Sequence, residues 1–185
     1  MKIVETSLPG VLLIQPDVFG DSRGYLFESW NERRYSELGF RHNFVQDNLS
    51  LSRKGTLRGL HLQNPNPQGK LVSVLRGKVF DVAVDVRAGS PSFGRWFGTF
   101  LSEENHHQLY IPEGFAHGFC VTSEEALFTY KCTNFYSPKT EICIAWNDPD
   151  IGIDWPIETP IISEKDALGI RLKAINAHQL VTWTP

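Results

Sequence analysis

Apolar positions along the chain recur mostly with a period of two. The clearest run is Val79-Phe80-Asp81-Val82-Ala83-Val84-Asp85-Val86, with Phe80, Val82, Val84 and Val86 on one face and Asp81, Ala83 and Asp85 on the other, the pattern of a β-strand. Shorter runs predict strands over residues 11–15, 56–63, 71–75, 96–101, 108–111, 115–121, 126–133 and 141–146. Turn chemistry punctuates them at Arg76-Gly77, Gly89-Ser90-Pro91 and Ser137-Pro138. Two segments read as short helices, 31–38 with Gly39 as its stop and 163–168 with Ser163 as N-cap. Short strands at this spacing predict an all-β sandwich, jelly roll or small barrel with a few flanking helices. No repeat, low-complexity stretch or linker divides residues 1–185, which read as a single domain. The tail beyond Trp155-Pro156 is less regular and is expected to pack back over the barrel.

Composition narrows the function classes. Lys+Arg number 18 against 21 Asp+Glu, a net charge of −3, without the basic excess of a nucleic-acid-binding face. Hydrophobic residues at 41% suffice for a core, and charged residues at 21% argue against disorder. Cys120, Cys132 and Cys143 are an odd set with no C-x-x-C pattern, so buried free thiols in a reducing compartment are expected. No leader-like apolar stretch opens the chain, and no apolar run approaches the ~18 residues of a membrane helix. The expectation is a cytoplasmic protein without a membrane partner.

Polar residues interrupt the strands at particular places. In Thr56-Leu57-Arg58-Gly59-Leu60-His61-Leu62-Gln63, alternation puts His61 and Gln63 on one face and Arg58 on the other. If all three serve one site, Gly59 should mark a bulge or bend; otherwise the segment is an edge strand with a solvated Arg and a core His. Phe128, Tyr130 and Cys132 share a face, so Tyr130 is either a core tyrosine bonded to backbone or a site residue. Ser163-Glu164-Lys165-Asp166 on its own reads as a capped, solvated helix start. Pro112-Glu113-Gly114-Phe115-Ala116-His117 has the P-x-G-x-x-H form of the second cupin motif. Metal-binding cupins pair that motif with H-x-H and a downstream Glu; here those places read His61-Leu62-Gln63 and Lys70, and an ammonium opposes a divalent cation. No metal is expected, and His117 becomes an anion contact or a core histidine.

Taken in order, the motifs resemble the dTDP-4-dehydrorhamnose 3,5-epimerases, a family of cupin-type, RmlC-like jelly-roll barrels. They are Phe19-Gly20-Asp21-Ser22-Arg23-Gly24, Phe44-Val45-Gln46-Asp47-Asn48, Leu57 to Gln63, Gln68-Gly69-Lys70-Leu71-Val72, Asp81 to Asp85, Ile111 to Phe119, Tyr130-Lys131, Trp146-Asn147-Asp148-Pro149 and Lys165-Asp166. The resemblance implies a dTDP-linked 4-keto-6-deoxyhexose substrate whose ketone acidifies the protons on C3 and C5. Inverting those carbons takes a base, an acid and a cation for the enolate, and no cofactor. The resemblance casts His61 as base, with Asp166 orienting its ring, Tyr130 as proton donor on the opposite face, and Lys70 beside the C4 oxygen. It also implies substrate binding by Arg23, Glu28, Gln46, Asn48, Arg58, Gln63, His117, Glu141 and Lys165, with Phe19, Phe27 and Tyr136 as candidates for stacking on thymine. It further implies a homodimer in which the N-terminal strands cross, so that Arg23 and Glu28 serve the neighbouring site. The alternatives are an epimerase acting only at C3 or only at C5, a metal-dependent cupin oxygenase, and a non-catalytic sugar-nucleotide-binding jelly roll.

Overall fold

The computed structural model describes residues Met1–Thr184. Its strands are β1 (Lys2–Glu5), β2 (Leu12–Gln15), β3 (Phe19–Asp21), β4 (Gly24–Leu26), β5 (Gln46–Arg53), β6 (Leu57–Gln63), β7 (Lys70–Arg76), β8 (Lys78–Asp85), β9 (Trp96–Ser102), β10 (Gln108–Ile111), β11 (Phe115–Val121), β12 (Glu125–Cys132) and β13 (Glu141–Cys143). A six-stranded sheet in the order β1-β2-β10-β7-β12-β5 faces a five-stranded sheet in the order β13-β6-β11-β8-β9. Every pairing is antiparallel, the jelly-roll arrangement expected of a cupin. Strands β3 and β4 form a separate hairpin.

Helix α1 (Glu32–Glu37) is capped by Asn31, and α2 (Glu164–Ala167) by Ser163, whose hydroxyl accepts from the Asp166 amide. Both lie within the predicted segments. The expected strand over 141–146 stops at Cys143, and β1, β3, β4 and β5 were not anticipated.

Three apolar layers hold the sheets. Between them pack Val11, Val72, Leu101, Ile111, Phe119 and Phe128. Behind the six-stranded sheet, Tyr35 and Phe40 of the α1 region cover Ile14 and Leu71. Behind the five-stranded sheet, Val82, Val84 and Val86 are covered by Ile151 and by Leu172, Ile175 and Leu180 of the C-terminal tail. The long apolar face of β8 therefore looks outward, under the tail, and Asp81, Ala83 and Asp85 look into the barrel. Bridges Thr56↔Ile161, Ile144↔Ile170 and Ala88↔Thr182 lash the tail to the sheet, as expected of a segment that packs back over the barrel. The first of these brings α2 alongside β6, so a residue more than a hundred positions away reaches His61.

Candidate active site

One end of the barrel interior is a pocket of about 360 Å³ between the two sheets. It forms there because polar side chains replace the apolar ones that fill the other end.

Strand β6 contributes Arg58 and His61 to the same wall, although three residues separate them. Opposite, β11 pairs His117 with His61 and Phe119 with Arg58, so three steps on β6 answer two on β11. That bulge turns Arg58 to the face of His61. It is built on Gly59 at φ +130°, where an added Cβ would lie 2.5 Å from the Gly118 Cα; only glycine fits. The bend conditionally expected at Gly59 is present.

His61 Nε2 lies 2.6 Å from Asp166 Oδ1. Asp166 is 3% exposed, and a carboxylate there fixes Nε2 as the protonated nitrogen and leaves the Nδ1 lone pair free to act as base. Burial pushes the Asp166 carboxyl up, but the His61 ring, Ser163 and Lys165 outweigh it and hold it below its ordinary value. Glu141 Oε1 is 3.9 Å from Nδ1. Glu141 is itself held by Lys165 Nζ at 2.9 and 3.0 Å and by the Tyr136 hydroxyl at 2.9 Å. The half-buried Cys143 thiol lies 3.7 Å from Asp166 Oδ1; burial and that carboxylate push it up to about 12. His61, Cys143 and Asp166 fall within 4.8 Å of one another. The arrangement does not fit a metal ion, because ligands around a tetrahedral centre stand more than ~3 Å apart and thiolate is the binding form.

The facing sheet supplies Tyr130 from β12 and Lys70 from β7. Burial raises the Tyr130 hydroxyl above its usual value, with Cys132 acting the same way and Arg58 opposing, so it stays protonated. The Lys70 ammonium forms no hydrogen bond or ion pair among the described residues. Burial lowers its pKa, against the attraction of Cys132, Glu141 and Asp81. A lysine ammonium held in a pocket wall without a partner is poised for an oxyanion that is not part of the protein.

Gln46, Asn48, Arg58, His61, Gln63, Lys70, His117, Tyr130, Tyr136, Glu141, Lys165 and Asp166 all line this pocket. The hydrogen bonds of two of them narrow what they can do. Gln63, expected to touch substrate, is 4% exposed; its amide donates to the Asn66 and Phe135 carbonyls and accepts from the Ser137 amide, so it pins the pocket rim. His117, expected as an anion contact or a core histidine, is buried and has Nε2 3.0 Å from both Asp81 oxygens, and burial lowers its pKa despite that carboxylate. A neutral ring that donates from Nε2 offers an acceptor nitrogen, which suits a sugar hydroxyl better than a phosphate. Arg23 and Glu28 are not in the pocket: Arg23 pairs with Asp21 within the β3–β4 hairpin, and Glu28 pairs with Arg34. Phe19 is 62% exposed on that hairpin, and Phe27 packs on Tyr25 and His106. Sequence reading missed Ser50, Gln68, Phe119 and Phe128 among the lining residues. The signal for Ser50 was present, as alternation with leucine in Asn48-Leu49-Ser50-Leu51-Ser52.

The sequence model of the family described as dTDP-4-dehydrorhamnose 3,5-epimerase matches residues 5–174. Proteins of that description from Pseudomonas aeruginosa and Neisseria gonorrhoeae are 55% and 54% identical, each over 91% of this chain. The match covers 94% of the Pseudomonas protein but 52% of the Neisseria one, so the chain spans about half the length of the latter. A crystal structure described as dTDP-6-deoxy-D-glucose-3,5-epimerase from Legionella pneumophila, in complex with dTDP-4-keto-L-rhamnose, superposes with a TM-score of 0.97 at 50% identity, covering 100% of this chain and 99% of that one.

Proposed function

The chain belongs to the dTDP-4-dehydrorhamnose 3,5-epimerase family, and from that premise we propose that it converts dTDP-4-dehydro-6-deoxy-D-glucose to dTDP-4-dehydro-L-rhamnose, the ketone precursor of dTDP-L-rhamnose. The observation that carries the reading is the opposition of His61, backed by Asp166 at 2.6 Å, to Tyr130 and an unpartnered Lys70 on the facing sheet.

His61 Nδ1 takes the proton from the carbon beside the ketone while Asp166 stabilises the imidazolium. Charge flows to the C4 oxygen, where Lys70 meets the enolate. Tyr130 then returns a proton from the opposite face, and the carbon is inverted. The resulting tyrosinate and imidazolium are reset by proton exchange with solvent before the second carbon reacts. Glu141, Lys165 and Tyr136 form a linked group at the rim that suits the thymine end of the substrate. Arg58 suits the diphosphate.

The reading extends to a homodimer. The edge strand β5 presents Leu49 and Leu51, 62% and 61% exposed, on its outer face. The β3–β4 hairpin carries Arg23 away from its own pocket. A second copy would cover the leucines and receive that arginine. The free thiols fit a reducing cytoplasm, and no helix among the described residues is long and apolar enough to cross a membrane.

Incubation with the ketosugar nucleotide in D₂O, followed by NMR, tests the activity. Deuterium should enter both C3 and C5. Entry at one carbon alone would make the protein a single-site epimerase, and entry at neither would sink the enolate mechanism.

A further inference from the structure

The inward face of β5 is polar along its whole length: Gln46, Asn48, Ser50 and Ser52 alternate with the exposed Asp47, Leu49, Leu51 and Arg53. Three of the four inward groups have partners. Gln46 Nε2 donates to Asn48 Oδ1 at 3.1 Å, Asn48 Nδ2 reaches Cys132 Sγ at 3.7 Å, and Arg58 Nε donates to Ser52 Oγ at 3.1 Å. Ser50 has none. Its Oγ is the one buried side-chain polar atom without a hydrogen-bond partner among the described residues, and it lines the pocket.

The protein groups around it offer it no partner. In register Ser50 stands opposite Phe128, whose ring is stacked on Phe119 at 4.0 Å. A buried hydroxyl left unsatisfied destabilises a protein. Alanine would fill the same space beside those rings without that cost. A hydroxyl at this position is explained if its partner arrives with the ligand. Along β5 it sits one inward position beyond Asn48, which pairs with the acid Tyr130, and one before Ser52, which holds Arg58.

We propose that Ser50 is a substrate-binding residue whose hydroxyl donates to an oxygen of the bound nucleotide sugar, between Tyr130 and Arg58. The proposal rests on the nucleotide-sugar reading above. That oxygen belongs to the hexose ring or to the diphosphate, and both present the same acceptor chemistry.

Calorimetric titration of wild type and Ser50→Ala with dTDP and with dTDP-glucose, which lacks the ketone and does not react, tests it. Wild type must bind both ligands; if it binds neither, the nucleotide-sugar reading falls and this one with it. Given wild-type binding, the variant should lose about tenfold in affinity, ~1.4 kcal/mol. Loss for dTDP-glucose alone assigns the acceptor to the hexose, and equal loss for both ligands assigns it to the diphosphate. Affinities within twofold of wild type for both would overturn the proposal. The unliganded variant should melt at or above the wild-type temperature. A fall of several degrees would mark the hydroxyl as structural and overturn it equally.

Discussion

Lys70 gives the sharpest separation between stability and function. Its ammonium makes no ion pair among the described residues, and burial lowers its pKa even though Cys132, Glu141 and Asp81 attract it. The environment therefore disfavours the charge on balance. Lys70→Met keeps a four-atom apolar stem and removes the ammonium with its charge. Loss of one preorganised group at a developing oxyanion costs ~3–4 kcal/mol, which at ~1.4 kcal/mol per decade is on the order of 10²–10³ in turnover. Stability should move the other way. A lysine whose folded pKa lies below its unfolded value of ~10.4 destabilises the fold fully at pH below the folded pKa. The penalty fades as pH rises to the unfolded value. Lys70→Met should thus melt higher than wild type at neutral pH, with the gap closing towards pH ~10.4. Wild-type turnover should show an alkaline limb below the ordinary lysine range, and Lys70 rather than Tyr130 should be its source, since burial moves the tyrosine upward. Deuterium exchange at C3 and C5 and thermal unfolding, each measured across pH, check the two halves. Exchange within tenfold of wild type, or a variant that melts several degrees lower, would refute the argument.

Two further outcomes follow from backbone and assembly. Gly59→Ala places a Cβ 2.5 Å from the Gly118 Cα and 2.9 Å from the His117 carbonyl oxygen at φ +130°; the expected loss is at least ~2 kcal/mol, or about 4–8 °C in Tm for a chain of this size, and an unchanged Tm in a scanning experiment would contradict the bulge. If Arg23 serves the neighbouring subunit, refolding a mixture of Arg23→Ala and His61→Ala chains should recover about a quarter of wild-type activity at low substrate, because half the dimers are hybrids with one complete site each; no gain over the separate variants would place Arg23 outside the partner's site.

How much of this was legible in the sequence depends on which way each strand's apolar face points. Where leucines and valines mark a buried face, alternation located the strand, and β6, β8, β11 and β12 were found in nearly their observed bounds. The same rule missed β5, because its leucines face outward and its polar side chains line the pocket. For β8 the alternation was read correctly, yet it could not say that the valine face lies under the C-terminal tail. That tail packs behind the five-stranded sheet, and no local pattern records a contact across a hundred residues. Asp166 shows the same limit: four residues at a helix start carry no hint of His61, and only the Thr56↔Ile161 bridge brings α2 to β6. Gly59 was legible because its chemistry is local. Three site-type residues could share a face only if the strand gained a residue, and glycine was the place where it could. Arg23 in the β3–β4 hairpin and Glu28 just beyond it stand at the other extreme, since a single folded chain leaves them outside the pocket and only the family resemblance connected them with it. Local covalent constraints thus reveal where the backbone departs from regularity, whereas the assignment of a side chain to a site is a property of the layers that close over it.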